Sequence, residues 1–140
     1  MEDNPIRYPT VVCSCFIEKD GKFLMVYDPR FKVWRVPGGR PKFTESLEQA
    51  LVREIREELN IEIEPLKFLG WGQDHQYMFS EERKTSRLLM LFYAKINKEP
   101  VIKTEEIEES KWVGFEEMKR HGNVEGGLRD FFERNPHLKL

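Results

Sequence analysis

The chain has 140 residues, a formal net charge of −2, 34% charged residues and 39% hydrophobic residues. This balance is typical of an ordinary globular protein, and the length predicts a single domain spanning residues 1–140. The composition excludes the strongly basic proteins that bind nucleic acid in general. It also excludes a membrane helix, because no segment approaches the ~20 apolar residues that a span requires.

Apolar runs predict strands in the N-terminal part of the chain. Residues 10–17 and 23–27 are rich in β-forming side chains, and the Asp-Gly pair between them is a strong hairpin signal. Residues 31–36 form a third such segment, which leads into a Pro-Gly-Gly turn at residues 37–39. We therefore expect a β-rich beginning that ends in a glycine turn.

Cys13 and Cys15 lie two residues apart in the first predicted strand. Their side chains would share one face of the strand, and this spacing is unfavourable for a disulfide. We therefore predict free thiols and a cytoplasmic location, since disulfides are rare in reducing compartments. The N-terminal residues also lack the apolar run of a signal peptide.

Residues 46–60 carry the signals of an amphipathic helix. Ser46 is a favourable N-cap, Gln49 completes a capping box, and Asn60 suits the left-handed position beyond the last turn. An apolar stripe at helical spacing consists of Leu47, Leu51, Ile55 and Leu59. This stripe predicts a helix that packs one face against the core.

A second stripe on the same helix is acidic. Glu54, Glu57 and Glu58 are neighbours at the i, i+3 and i+4 positions, where each like-charged pair costs about 0.2–0.5 kcal/mol. Arg53 offsets part of this repulsion, since it lies four residues before Glu57. A hard divalent cation would offset far more, because such ions prefer carboxylate and phosphate oxygens.

The second half of the chain alternates between strand-like and loop-like segments. Strands are predicted at residues 61–63, 66–71, 88–96 and 110–113. Residues 70–77 are predicted to be a strand end followed by a loop, residues 80–85 a turn or exposed loop, and residues 98–109 an acidic loop. Short helical pieces are predicted at residues 114–118 and 126–134. Strands that flank one central helix, followed by late helical pieces, predict an α+β sandwich.

The segment from Gly39 to Ile61 resembles the signature of the Nudix (MutT-type) hydrolases, G-x(5)-E-x(7)-R-E-U-x-E-E-x-G-U, where U is a bulky apolar residue. The matching positions are Gly39, Glu45, Arg53, Glu54, Ile55, Glu57, Glu58 and Ile61. Asn60 stands where the family has glycine, and asparagine tolerates a left-handed backbone. Trp34, three residues before Pro37, adds the W-x-x-P-G-G arrangement that is common in the family.

The resemblance implies a fold, a reaction and a cofactor. The fold is a mixed sheet flanked by helices, an α/β/α sandwich of the α+β class. The reaction is attack of water on a phosphorus of a nucleoside diphosphate linked to another moiety, as in a nucleoside triphosphate, a dinucleoside polyphosphate or a nucleotide sugar. The cofactor is Mg²⁺, with Mn²⁺ as a substitute, held by Glu54, Glu57, Glu58 and the carbonyl of Gly38.

The resemblance also implies catalytic and supporting roles. Arg53 would orient Glu54 or Glu57 through a salt bridge, while Gly39 and Glu45 would support the junction between the turn and the helix. The general base is either Glu57 or a glutamate of the acidic loop, and that loop offers Glu105, Glu106, Glu108 and Glu109. The residues themselves do not choose among these candidates.

Side chains outside the motif are candidates for holding the nucleotide substrate. The cations Arg35, Arg40 and Arg87 could bind outer phosphates, and the aromatic rings of Trp34 and Tyr77 could stack on a base. The expected partner is therefore a small nucleotide, with neither a membrane nor nucleic acid in general. A homodimer remains compatible with the sequence.

Two other functions are compatible with a domain of this kind. One is a non-catalytic domain that binds a nucleotide as a sensor or regulator, and such domains usually lose motif glutamates. The other is a sugar-nucleotide hydrolase that attacks carbon, a branch altered at the final glutamates of the motif. Because Glu54, Glu57 and Glu58 are all retained, the sequence favours the hydrolase that attacks phosphorus.

Overall fold

The computed structural model describes residues 8–64, 66–80 and 83–140. For residues 76–80 and 83–85 it describes the backbone only. The strands are Thr10–Lys19 (β1), Lys22–Asp28 (β2), Val33–Arg35 (β3), Gly38–Gly39 (β4), Lys67–Ser80 (β5), Arg83–Lys95 (β6) and Glu109–Val113 (β7). The helices are Leu47–Leu59 (α1), Phe115–Arg120 (α2) and Gly126–Arg134 (α3). None of these helices is long and apolar enough to span a lipid bilayer.

The strands form one mixed sheet, as the resemblance implied, and its strand order is β3-β2-β1-β6-β5. β1 and β6 run parallel over nine residue pairs from Thr10 to Glu18, and the other pairings are antiparallel. β4 pairs with β1, and β7 pairs with β2. β1 therefore lies at the centre of the sheet and must be apolar on both faces.

Alternation along β1 divides the interior into two cores. Cys13, Cys15 and Ile17 point to the face covered by α1, where they meet Leu51 and Ile55. The opposite face carries Val12 and Phe16, which pack with apolar residues of α2 and α3, namely Met118, Leu128, Phe131 and Phe132. Successive side chains of a strand point to opposite faces, so a central strand supplies both cores. The predicted α/β/α sandwich is confirmed, and both cysteines are buried free thiols.

The local signals for the hairpin and the central helix are confirmed. Asp20 and Gly21 take positive φ angles of 52° and 81° between β1 and β2. Ser46 and Gln49 form both hydrogen bonds of the capping box at the start of α1. Asn60 ends α1 with a φ of 56°, and its amide donates to the Arg56 carbonyl.

The loop predicted within residues 70–77 is wrong, because all of these residues belong to β5. The turn or loop predicted at residues 80–85 is wrong at Ser80, which belongs to β5, and at residues 83–85, which belong to β6, while residues 81 and 82 lie outside the described residues. A Cβ on Gly72 would lie 1.9 Å from the Gly127 carbonyl oxygen. Glycine therefore allows α3 to pack directly on the strand.

The short strand predicted at residues 61–63 is also wrong. Ile61 and Ile63 pair with no strand, yet both are buried against the core beneath α1. Their apolar character reflects burial of the segment that leaves the helix, rather than membership of the sheet.

Candidate functional site

A cleft of about 370 Å³ opens where β1 changes partners. β1 pairs with β2 at Glu18 and Lys19, but with β4 at Cys13 and Ser14. The charged residues that line the cleft are Asp28, Arg30, Arg35, Arg40, Lys42, Arg53, Glu54, Arg87, Glu106 and Glu125. Both signs of charge occur, so the cleft suits a polar, anionic ligand together with a cation.

The glycine turn brings the backbone against the helix at one wall of the cleft. A Cβ on Gly39 would lie 2.3 Å from the Glu54 carboxyl carbon, and one on Gly38 would lie 1.9 Å from the Cys13 carbonyl oxygen. The Cys15 amide donates to the Pro37 carbonyl at 2.9 Å and holds the turn on β1. Glycine is therefore required here by close approach.

Arg53 connects the turn with the acidic stripe of α1. Its guanidinium donates to Glu45 at 2.6 and 2.8 Å, to Glu54 at 2.9 Å and to Glu57 at 3.4 Å. It also donates to the Arg40 carbonyl at 3.2 Å. The hydrogen bonds from Arg53 lower the pKa of Glu45 to about 2. Arg53 therefore contacts Glu45 and both glutamates that it is predicted to orient, and the roles of Arg53 and Glu45 stay predictions.

Glu58 points inward from α1 and pairs with Arg35. The Arg35 guanidinium lies 3.6 Å from a Glu58 oxygen and donates at 3.2 Å to Asp28, and all three side chains are buried. Burial raises the pKa of Glu58 to about 7, partly opposed by Arg35. Burial also raises the pKa of Glu54. Arg35, predicted as a phosphate contact, therefore lies in a buried ion-pair network at the floor of the cleft.

The three glutamates predicted as metal ligands do not converge on one point. In the part of the chain that the structure describes, no three Asp, Glu, His or Cys side chains form a group that could hold a metal ion. Glu57 projects outward with its side chain 58% exposed, while Glu54 and Glu58 face the interior. Both carboxylate oxygens of Glu58 are buried without a hydrogen bond from any described residue. The donor chemistry therefore fits a hard cation, and the full ligand set remains a prediction.

The inner end of the cleft contains a second buried pair. Arg87 of β6 lies 3.5 Å from Glu125, which immediately precedes α3 and is 6% exposed. Burial raises the pKa of Glu125, and the nearby charges of Arg87 and Arg35 oppose that rise. Arg87 therefore lines the cleft, and its contact with a phosphate stays a prediction, whereas no motif in the sequence singled out Glu125.

The mouth of the cleft is bordered by the turn after β2 and by the acidic loop. Of the four glutamates that this loop offers as a base, all of them described, Glu106 is the one that lines the cleft. It lies 3.5 Å from Arg30, whose guanidinium is held by Asp28. No sequence pattern singles out Asp28 and Arg30 as site residues, because the contacts of their side chains form only in the folded chain.

The predicted aromatic contacts differ in position. Trp34 does not line the cleft, and its ring packs against Tyr27 at 5.4 Å and beneath the Lys111 ammonium at 4.2 Å. Tyr77 pairs with Thr85 between β5 and β6, but its side chain lies outside the described residues. Arg40 is exposed at the cleft wall, where a phosphate could reach it.

Comparison with known proteins gives one family. The NUDIX domain family model matches residues 7–134. The chain is 30% identical over 126 residues to the phosphatase NudJ of Escherichia coli K12, covering 86% of this chain and 78% of that protein.

Solved structures show the same fold. The MutT protein of Methanosarcina mazei Go1 has a TM-score of 0.78 at 22% identity, covering 93% of this chain and 95% of that one. The NUDIX domain of Shewanella oneidensis NrtR, solved with ADP-ribose, has a TM-score of 0.69 at 16% identity, covering 96% and 91%.

Proposed function

Because the chain belongs to the Nudix hydrolase family, we propose that it uses Mg²⁺ to hydrolyse a pyrophosphate bond in a nucleoside diphosphate linked to another moiety. Nucleoside triphosphates, dinucleoside polyphosphates and nucleotide sugars are the substrate classes in question. A cytoplasmic location, a nucleotide as the partner and Mn²⁺ as a substitute metal belong to the same proposal. The family match shows that the chain is a Nudix hydrolase.

The observation that carries this proposal is the buried carboxylate of Glu58. Arg35 lies 3.6 Å from it, but neither of its buried oxygens accepts a hydrogen bond from a described residue, and Glu54 on the preceding turn of α1 lines the cleft. A buried carboxylate without hydrogen bonds is costly to ionise, and a bound cation would lower that cost. We assign the metal to Glu54, Glu57 and Glu58, with the Gly38 carbonyl as a fourth donor. When bound there, Mg²⁺ would neutralise phosphate charge and lower the pKa of a bound water.

Other residues of the chain would position the carboxylates, bind the substrate and accept the proton of the attacking water. Arg53 donates hydrogen bonds to Glu54, which lines the cleft, and to Glu57, and Arg40 at the cleft wall would bind an outer phosphate. Water forms the new bond to phosphorus as the anhydride P–O bond breaks, and the leaving phosphate carries the electron pair. The proton of the water passes to Glu57 or to Glu106, the loop glutamate that lines the cleft.

The proposal predicts a large effect of Glu57→Gln on catalysis. The substitution keeps side-chain size but deletes one charge that acts on the transition state, so kcat should fall by about 10²-fold or more, equal to about 2.7 kcal/mol. The assay uses Mg²⁺ and a panel of nucleoside triphosphates, dinucleoside polyphosphates, ADP-ribose and sugar nucleotides. Glu48→Gln, on the same helix and outside the cleft, is the matched control.

The outcome separates the competing functions. In ¹⁸O-water, label in a phosphate product supports attack on phosphorus, whereas label in a released sugar indicates attack on carbon. Equal activity of Glu57→Gln and Glu48→Gln would contradict the assigned site. Binding of nucleotides without turnover of any of them would instead indicate the sensor function.

A further inference from the structure

Arg30 is held rigidly at the mouth of the cleft by Asp28. The Asp28 carboxylate accepts from the Arg30 backbone amide at 3.0 Å, from its Nε at 3.1 Å and from its Nη2 at 2.8 Å. Asp28 is 1% exposed, and the Arg30 side chain is 50% exposed and lines the cleft. The buried Asp28 carboxylate thus holds the Nε and Nη2 atoms of Arg30, an arrangement called the fork below. The remaining guanidinium nitrogen, Nη1, faces Glu106.

Glu106 is positioned independently of Arg30. The acidic loop runs along the end of α1, where the amides of Val101 and Lys103 donate at 2.8 Å to the carbonyls of Leu59 and Glu58. On the other side of Glu106, the Glu108 amide donates to the Tyr27 carbonyl at 3.0 Å. The loop is therefore anchored before and after Glu106, and the ion pair with Arg30 joins two separately fixed segments across the mouth.

The ion pair between Arg30 and Glu106 is weaker than the contacts between Arg30 and Asp28. Its two partners lie 3.5 Å apart and are 50% and 53% exposed, so solvent screens their attraction. Phosphate oxygens form stronger and more directional contacts with a guanidinium than a half-exposed carboxylate does. An incoming diphosphate can displace Glu106 from Arg30 without disturbing the fork to Asp28.

We propose that Arg30 binds the diphosphate of the substrate, and that in the free protein the Glu106 carboxylate occupies the position on Arg30 that the diphosphate takes. This inference rests on the proposed function, because it assumes a diphosphate in this cleft. When the diphosphate replaces the Glu106 carboxylate, Arg30 keeps its hydrogen bonds to Asp28, and Glu106 is released beside the cleft. Substrate binding and the release of a candidate base then become one event.

The test is a double-mutant cycle on the binding of methylenebisphosphonate, a diphosphate that cannot be hydrolysed. Calorimetry with Mg²⁺ should show Arg30→Gln binding about tenfold more weakly than wild type, the cost of losing a charge-assisted contact. Arg30→Lys keeps the charge but not the fork, and should bind about threefold more weakly. The melting temperature of each variant reports whether the fold is intact.

Glu106→Gln should act in the opposite direction. Without the Glu106 carboxylate, methylenebisphosphonate should bind about threefold more tightly than it does to Glu105→Gln. Glu105→Gln is the control, because it deletes the same charge from the same loop but away from the cleft. In the Arg30→Gln background, this difference between the two glutamate variants should vanish. A difference that persists without Arg30 would mean that Glu106 acts only as a general negative charge.

Two further outcomes would overturn the inference. Equal binding by wild type and Arg30→Gln would remove Arg30 from the diphosphate site. Failure of wild type to bind methylenebisphosphonate would do the same. Hydrolysis of a nucleotide by wild type in the assay above would still support the proposed function in either case.

Discussion

Burial separates glutamates that look alike in the sequence. Glu45 and Glu57 border solvent and share Arg53, whereas Glu58 is buried against Arg35. The same side chain therefore has a pKa of about 2 at position 45 and about 7 at position 58. Hydrogen bonds from Arg53 stabilise the charge at the first position, and loss of water destabilises it at the second.

The low pKa of Glu45 predicts a stability that depends on pH. A carboxylate whose pKa falls on folding stabilises the folded state above its ordinary pKa of 4.5, and that stabilisation is lost as the pH falls towards about 2. Glu45→Gln should therefore lower the melting temperature at pH 7, and the difference from wild type should shrink as the pH falls to about 3. Glu48→Gln serves as the control on the same segment. A difference that is independent of pH would show that the charge of Glu45 is not what stabilises the junction.

The end of α1 is the element that connects the acidic stripe with the acidic loop. The last carbonyls of the helix, at Glu58 and Leu59, accept from the amides of Lys103 and Val101. The Lys103 ammonium also donates to the Asn60 side chain at 3.3 Å. Because the loop satisfies carbonyls that a helix end leaves unpaired, the position of Glu106 depends on where α1 ends.

Substitutions at Asn60 should test this helix end. Its φ of 56° suits glycine, so Asn60→Gly should leave the melting temperature unchanged or raise it. Asn60→Val should destabilise the fold by roughly 1–2 kcal/mol or more, because a β-branched residue is strained at positive φ. Urea denaturation compares the two variants directly. Equal midpoints would contradict a left-handed end at this position.

Across the whole molecule, the cleft gathers charges from both the sheet and the helices. β2 and β3 supply Asp28 and Arg35, α1 supplies Glu54, and the residue before α3 supplies Glu125. Glu58 of α1 is joined to these charges through its ion pair with Arg35. Packing of α1 and α3 on opposite faces of one sheet brings these groups to the place where β1 changes partners. A cation that binds there should stabilise the fold as a whole.

Mg²⁺ should therefore raise the melting temperature of the wild-type protein. At about a hundred times its Kd, a ligand specific to the folded state adds about 2.7 kcal/mol, which corresponds to about 5–10 °C for a chain of this size. Glu57→Gln should remove most of this rise, and Glu105→Gln should retain it. Scanning calorimetry with and without Mg²⁺ gives the comparison. Equal protection of wild type and Glu57→Gln would place the cation elsewhere.

Several features could be predicted from neighbouring residues alone. The hairpin at Asp20, the cap at Ser46 and the helix end at Asn60 each depend on the backbone preferences of a few adjacent residues. Helical spacing likewise makes the glutamates of α1 sequence neighbours on one side of the helix, although packing then turns Glu58 inward and leaves Glu57 exposed. Local geometry was sufficient for these features, and the structure confirms the hairpin, the cap and the helix end.

Tertiary packing decided the rest, because the relevant partners are distant in the chain. Gly72 was interpreted as part of a loop, since the Gly127 carbonyl that requires a glycine there lies 55 residues away. Arg35 turned inward to Asp28 and Glu58, and a charged residue carries no local signal of the side to which it points. Burial and long-range pairing arise only when β1, α1 and α3 meet, and they determine which charged residues the cleft contains.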